Sequence, residues 1–86
     1  MEIRFKEKEI GDLALLMHKL YRIKESVDDV AYEIAYAVRI VDMYQEKAGI
    51  VVYKGSVYAT LSSKVGLSEL IGVISRKGKD YVCEIK

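Results

Sequence analysis

"SVDDVAYEIAYAVRIVDMYQEKAG", Ser26 to Gly49, is the stretch whose reading decides the fold. Ser26, with Asp29 three residues on, resembles a capping box in which Asp replaces the usual Glu. Asp28 and Asp29 in the first turn suit the positive end of the helix dipole. The pattern predicts a helix over 27–47, with Gly49 near its C-terminal cap. At 100° per residue, Val27, Val30, Ala31, Ile34, Ala37, Val38, Val41 and Tyr44 form one continuous stripe. Tyr32, Tyr36, Ile40 and Met43 form a second stripe on roughly the opposite side. A helix that is apolar on two sides has to be covered twice. If a sheet and another helix both lie on the first stripe, the second is left for a partner subunit. The competing arrangement is a three-layer monomer with the sheet on the tyrosines.

Upstream, "GDLALLMHKLYRIKE" (Gly11 to Glu25) repeats its apolar residues with helical period, and Asp12 is a candidate N-cap. That predicts a helix over 12–24, joined to the next by a residue or two as a helical hairpin. Before it, "EIRFK" alternates, placing Ile3 and Phe5 on one side of a short edge strand. Downstream of Gly49 the period returns to two. "IVVY" and "SVYATL" flank Lys54-Gly55, and "LIGVISR" and "KDYVCEIK" flank Lys77-Gly78. Each pair reads as an antiparallel hairpin turning at a glycine. Ser68 as the cap of a short helix is the alternative for the segment before Leu70.

The expected fold is therefore α+β: an N-terminal edge strand, a two-helix hairpin, then an antiparallel sheet of two β-hairpins. No proline and no low-complexity linker interrupts the 86 residues, which fits a single domain over 1–86. In the first hairpin, Ile50, Val52, Val57, Ala59 and Leu61 share the core face. In the second, Leu70, Gly72, Ile74, Tyr81, Cys83 and Ile85 do so. Measured from a Lys-Gly turn, these two parities are opposite. The matching Lys-Gly and tyrosine positions of the two hairpins thus read as shared turn chemistry rather than as a repeat.

Catalytic signals are sparse. His18 is the only histidine, on the edge of the first helix, and reads as a surface residue. Cys83 is the only cysteine, which excludes an internal disulfide and a thiolate metal cage. Asp28 and Asp29 are explained by helix capping, and no glycine-rich phosphate loop occurs. Hence no catalytic residue, cofactor or metal is expected. "LSSKVGLSELIGVI" carries a Gly-Leu-Ser reminiscent of a helix-turn-helix, but the phase fails because Gly72 falls where an apolar residue is needed.

The net charge of +1 excludes a globally basic nucleic-acid binder. The charge is uneven, however: eight basic and ten acidic residues to Gly49, six basic and three acidic after it. A nucleic-acid face built from Tyr53, Lys54, Tyr58, Arg76, Lys77 and Lys79 would use the tyrosines to stack bases and the cations to meet phosphates. No run of apolar residues is long enough to span a membrane, and "MEIRFKEKE" is charged from its second residue, so a cytoplasmic location is expected. The charged, Ile/Val/Tyr-rich composition would suit a thermophile. The leading functional expectation is a small intracellular, non-enzymatic, homodimeric module that binds another macromolecule, its subunit interface being Tyr32, Tyr36, Ile40 and Met43. The alternative is a nucleic-acid-binding regulator using the basic hairpins, and third a small enzyme or ligand-binding protein.

Overall fold

The computed structural model describes residues 1–66 and 69–86. Strand β1 (Glu2–Phe5) leads through a single 3-10 turn into helix α1 (Ile10–Leu20), followed by helix α2 (Val27–Tyr44). Strands β2 (Ala48–Tyr53), β3 (Ser56–Leu61), β4 (Leu70–Lys77) and β5 (Asp80–Ile85) complete one antiparallel sheet, ordered β1-β5-β4-β2-β3. The α+β class, the N-terminal edge strand, the helix pair and the two hairpins are as the sequence indicates. The chain ends meet, since the Met1 ammonium donates to the Ile85 carbonyl (3.1 Å) and the Ile85 N–H to the Met1 carbonyl (2.7 Å).

Both helices lie on one face of the sheet. A Cβ added to Gly72 would stand 3.4 Å from the Met17 methyl, so α1 covers β4 and β5, while α2 packs on β2, β3 and β4. Met17, Val30, Ile34, Ile50, Val57, Ile74 and Cys83 are the large side chains completely removed from water between these layers. Ser26 caps α2 as its spacing indicates, its Oγ accepting the Asp29 N–H at 3.2 Å.

Several boundaries differ from expectation. Helix α1 starts with Glu9 at its N-cap, leaving Asp12 in the first turn. It stops at Leu20 because the next residues are drawn to the sheet. The Tyr21 hydroxyl shares its one proton between the carbonyls of Ile71 (3.0 Å) and Lys86 (2.8 Å), Ile23 is buried, and the Lys24 N–H reaches the Gly55 carbonyl (2.8 Å). The link between the helices is thus 21–26, longer than the expected residue or two. Helix α2 ends at Tyr44, capped by Gln45 in the left-handed region at φ 52°.

Gly49 is no cap but a member of β2 on the face away from the helices. There the chain leaving β3 crosses β2 to reach β4, and a Cβ on Gly49 would lie 2.5 Å from a Leu70 methyl and 3.4 Å from the Ser62 Cα. A bulge accompanies this crossing, where Ile50 pairs with Gly72 but Val51 with Leu70. It turns Leu70 to the outer face, against the expectation that Leu70 shares a side with Gly72 and Ile74. Leu70 is buried there over Gly49, outside the helix-side core.

The hairpin loops also correct the parity reading. The first is Lys54-Gly55, both at positive φ as in a type I′ turn. The second is Gly78-Lys79, with glycine in the first central position as in a type II′ turn. Counted from these loops the two hairpins have the same parity. The glycine-based alignment is what slips by one residue, so that Tyr58 faces outward and Tyr81 inward. The Ser68 alternative lies outside the described residues; from Leu70 onward the chain is strand.

Replacing Ile34 by Ala should destabilise the protein by about 2–5 kcal/mol, because rigid neighbours on α1 and the sheet cannot close the void. Denaturant unfolding monitored by circular dichroism measures this directly. A loss within experimental error would mean that another face of α2 is inside.

Candidate functional site on the outward face of helix α2

The 18 residues of α2 present Tyr32 (73% exposed), Tyr36 (50%) and Met43 (74%) to solvent along one line, with Arg39 beside them. The sheet and α1 share the opposite side, so neither covers this line. Ile40, expected in the same stripe, is only 6% exposed. It lies about 40° further round the helix than Tyr36 and sinks between α2 and the edge strand β3. Tyr44, expected inside, is exposed because it occupies the last helical position. Tyr36, Ile40, Tyr44, Leu61 and Lys64 line a groove of about 250 Å³ along that edge.

An open edge strand is a template for unwanted pairing. On β3 it is closed by carboxylates: Glu25 accepts the Val57 N–H at 2.6 Å and Glu33 the Ala59 N–H at 3.2 Å. No local sequence signal announces these bonds, since they join residues 32 and 26 apart.

The other polar cluster lies at the opposite end of α2. Asp42 accepts hydrogen bonds from Arg76 Nη1 (2.6 Å) and the Tyr81 hydroxyl (2.7 Å). The Arg76 guanidinium sits 5.4 Å from the Tyr81 ring centroid, and Phe5 stacks on the same ring at 5.7 Å. Burial, and then the hydrogen bond to Asp42, push the Tyr81 phenol up to about 12. Burial alone pushes the Cys83 thiol up to about 12, removing its nucleophilic form. His18 is also occupied. Its Nε2 lies 2.9 Å from the Glu25 carbonyl, and because a carbonyl only accepts, Nε2 carries the proton. Among the described residues no three His, Cys, Asp or Glu side chains converge on a metal-sized site, and no helix is long and apolar enough to cross a membrane.

The six residues of the nucleic-acid face do not converge. Tyr53 and Tyr58 are exposed on the outer face of the first hairpin, where Tyr58 pairs with Val51 and the Lys54 ammonium stands 5.3 Å from the Tyr53 ring. Lys77 and Lys79 are exposed at the second hairpin tip, and Arg76 turns to the helix side to meet Asp42. The pairing of β2 with β4 sends the two tips to opposite ends of the sheet. Tyr53 and Lys77 are eight positions apart along the strands, roughly 26 Å. Comparison with family models, with curated proteins and with solved structures gives no match.

Tyr81→Phe should cost about 1.5 kcal/mol near neutral pH through the lost bond to a charged acceptor. The phenol's folded value exceeds its ordinary 10.0, so its contribution is complete below about pH 10 and disappears as pH rises towards 12. The stability gap between wild type and Tyr81→Phe should therefore narrow across that window in parallel denaturation curves. A gap that widens would mean that the phenolate is the favoured form.

Proposed function

We propose that this protein is a small non-enzymatic binding module that acts as a homodimer, with the outward face of α2 as the subunit interface, and engages a further macromolecule in that form. The observation that carries the reading is the line of Tyr32, Tyr36 and Met43, each at least half exposed on one side of a helix whose other side is fully engaged. Tyrosine and methionine are enriched at interfaces, and a contiguous exposed patch of them invites a partner. A small domain also buries a limited share of its own surface, so association adds what a larger core would supply. The titratable groups favour binding over chemistry. His18 is tied to a backbone carbonyl, Asp42 is shared by Arg76 and Tyr81, and Cys83 is enclosed.

Ile40 leaves this interface and joins the core, so Tyr36 is the residue that discriminates. Sedimentation equilibrium should give a dimeric mass for wild type. Tyr36→Glu should remain folded by circular dichroism yet sediment as a monomer, because an unpaired carboxylate opposes burial. A wild type that stays monomeric at high concentration would overturn the reading.

The nucleic-acid reading retains one supporting observation, the exposed Tyr53–Tyr58 pair with Lys54 beside it. Stacking on it would be worth about 1–3 kcal/mol per base. On this reading, low-salt retention on single-stranded oligonucleotides should drop in Tyr58→Ala and be unaffected by Lys77→Ser at the far tip. Wild-type protein that is not retained at low salt would dispose of it.

A further inference from the structure

We infer that the second copy docks antiparallel along α2, with Asp29 of each protomer against Arg39 of the other and Tyr32 against the other's Tyr36. The inference rests on the self-association reading above and specifies its geometry. Asp29, Tyr32, Tyr36, Arg39 and Met43 follow one another at spacings of three, four, three and four. That is the seam period of two helices packed side by side at a shallow angle. All five are exposed.

The charges select the orientation. The seam is acidic at its N-terminal end, where Asp28 and Asp29 stand, aromatic in the middle, and cationic at Arg39. Parallel pairing would set Asp29 on Asp29 and Arg39 on Arg39. Antiparallel pairing matches opposite charges at both ends and meets the reversed helix dipoles favourably. The register follows from the same residues. With Tyr32 against Tyr36 of the other copy, two Asp29–Arg39 pairs flank two aromatic pairs. A shift of one heptad towards the C-terminus would carry Asp29 past Tyr44, the last residue of the other copy's helix, and separate it from Arg39. Arg39 has no ion-pair partner in the monomer among the described residues, where Asp42 is taken by Arg76 and Asp80 by Arg4.

Two other routes to a second copy, along the β3 edge and over the outer face of β2, are obstructed. Glu25 and Glu33 close the β3 edge, and the β3–β4 crossover passes over the outer face of β2.

Charge reversal tests the geometry. Asp29→Arg alone sets two arginines against each other at each end, and Arg39→Glu alone sets two carboxylates. Each variant should stay folded by circular dichroism and dimerise at least about tenfold more weakly than wild type. An equimolar mixture of the two should recover wild-type affinity as a heterodimer, because both end pairs are then opposite in sign. Sedimentation of each variant and of the mixture measures this. If wild type is dimeric and the single variants dimerise as well as it does, or their mixture is no tighter than either alone, the antiparallel geometry is overturned while self-association stands. If wild type is itself monomeric, both fall together.

Discussion

The seating of α2 across the β2–β3 side of the sheet is the constraint on which the remaining structure depends. Val30, Ile34, Ala37, Val38 and Val41 are buried along one side of this helix, and Ile50 and Val57 meet them from below. Each fully buried aliphatic side chain contributes about 1.5–3 kcal/mol relative to exposure, so this one contact supplies a large part of the favourable burial in a chain of 86 residues. Helix α1 could not serve in its place. Its 11 residues bury only Leu13, Ala14 and Met17, and it lies over β4 and β5, where Gly72 leaves room for the Met17 methyl.

Once α2 is seated, acidic groups on it and on the segment before it fasten it laterally. Glu33, with Glu25 just upstream, holds the β3 edge through main-chain N–H groups. Asp42, at the other end, holds the tip of the β4–β5 hairpin through Arg76 and Tyr81. Hydrogen bonds to charged acceptors that are partly shielded are worth more than exposed ion pairs, and they orient more than they stabilise. The same groups account for the fate of two features that resemble functional sites. The β3 edge is not free to add a strand along Val57 and Ala59. Arg76 is not a free phosphate ligand, which removes one of the three cations of its hairpin tip from any nucleic-acid surface.

The inward stripe of α2 and the class of fold were legible because burial imposes a period, and a period survives in the sequence without knowledge of neighbours. What was not legible depended on which neighbour stands where. Ile40 lies near enough to Tyr36 in helical phase to pass for an interface residue, but β3 lies on that side and covers it. The second loop begins at Gly78 rather than Lys77, because glycine can take either central position of a two-residue turn, and that single step reverses an inferred parity. Leu70 faces outward because of a bulge that exists only where β4 meets β2 after the crossover. Gly49 shows the same limitation. Its place after a helix suggests a cap, whereas its actual role is to leave space for a chain segment that arrives from β3. The carboxylate caps on β3 and the Asp42 cluster join distant residues and leave no trace in local composition.

The placement of charge on α2 separates what the monomer needs from what it does not. Asp28 and Asp29 serve the helix in any case, as first-turn acids beside the Ser26 cap. Asp42 and Glu33 are consumed by the sheet. Arg39 has no such role: it lies in the middle of the helix, on the exposed side, between Tyr36 and Met43, and neither of the two ion pairs among the described residues involves it. Exposed charge pairs contribute little to affinity and much to orientation. An arginine placed this way would therefore add little binding energy of its own. Its effect would be to decide which way round two tyrosine-bearing helices can meet, while the aromatic surfaces between the charges supply the attraction.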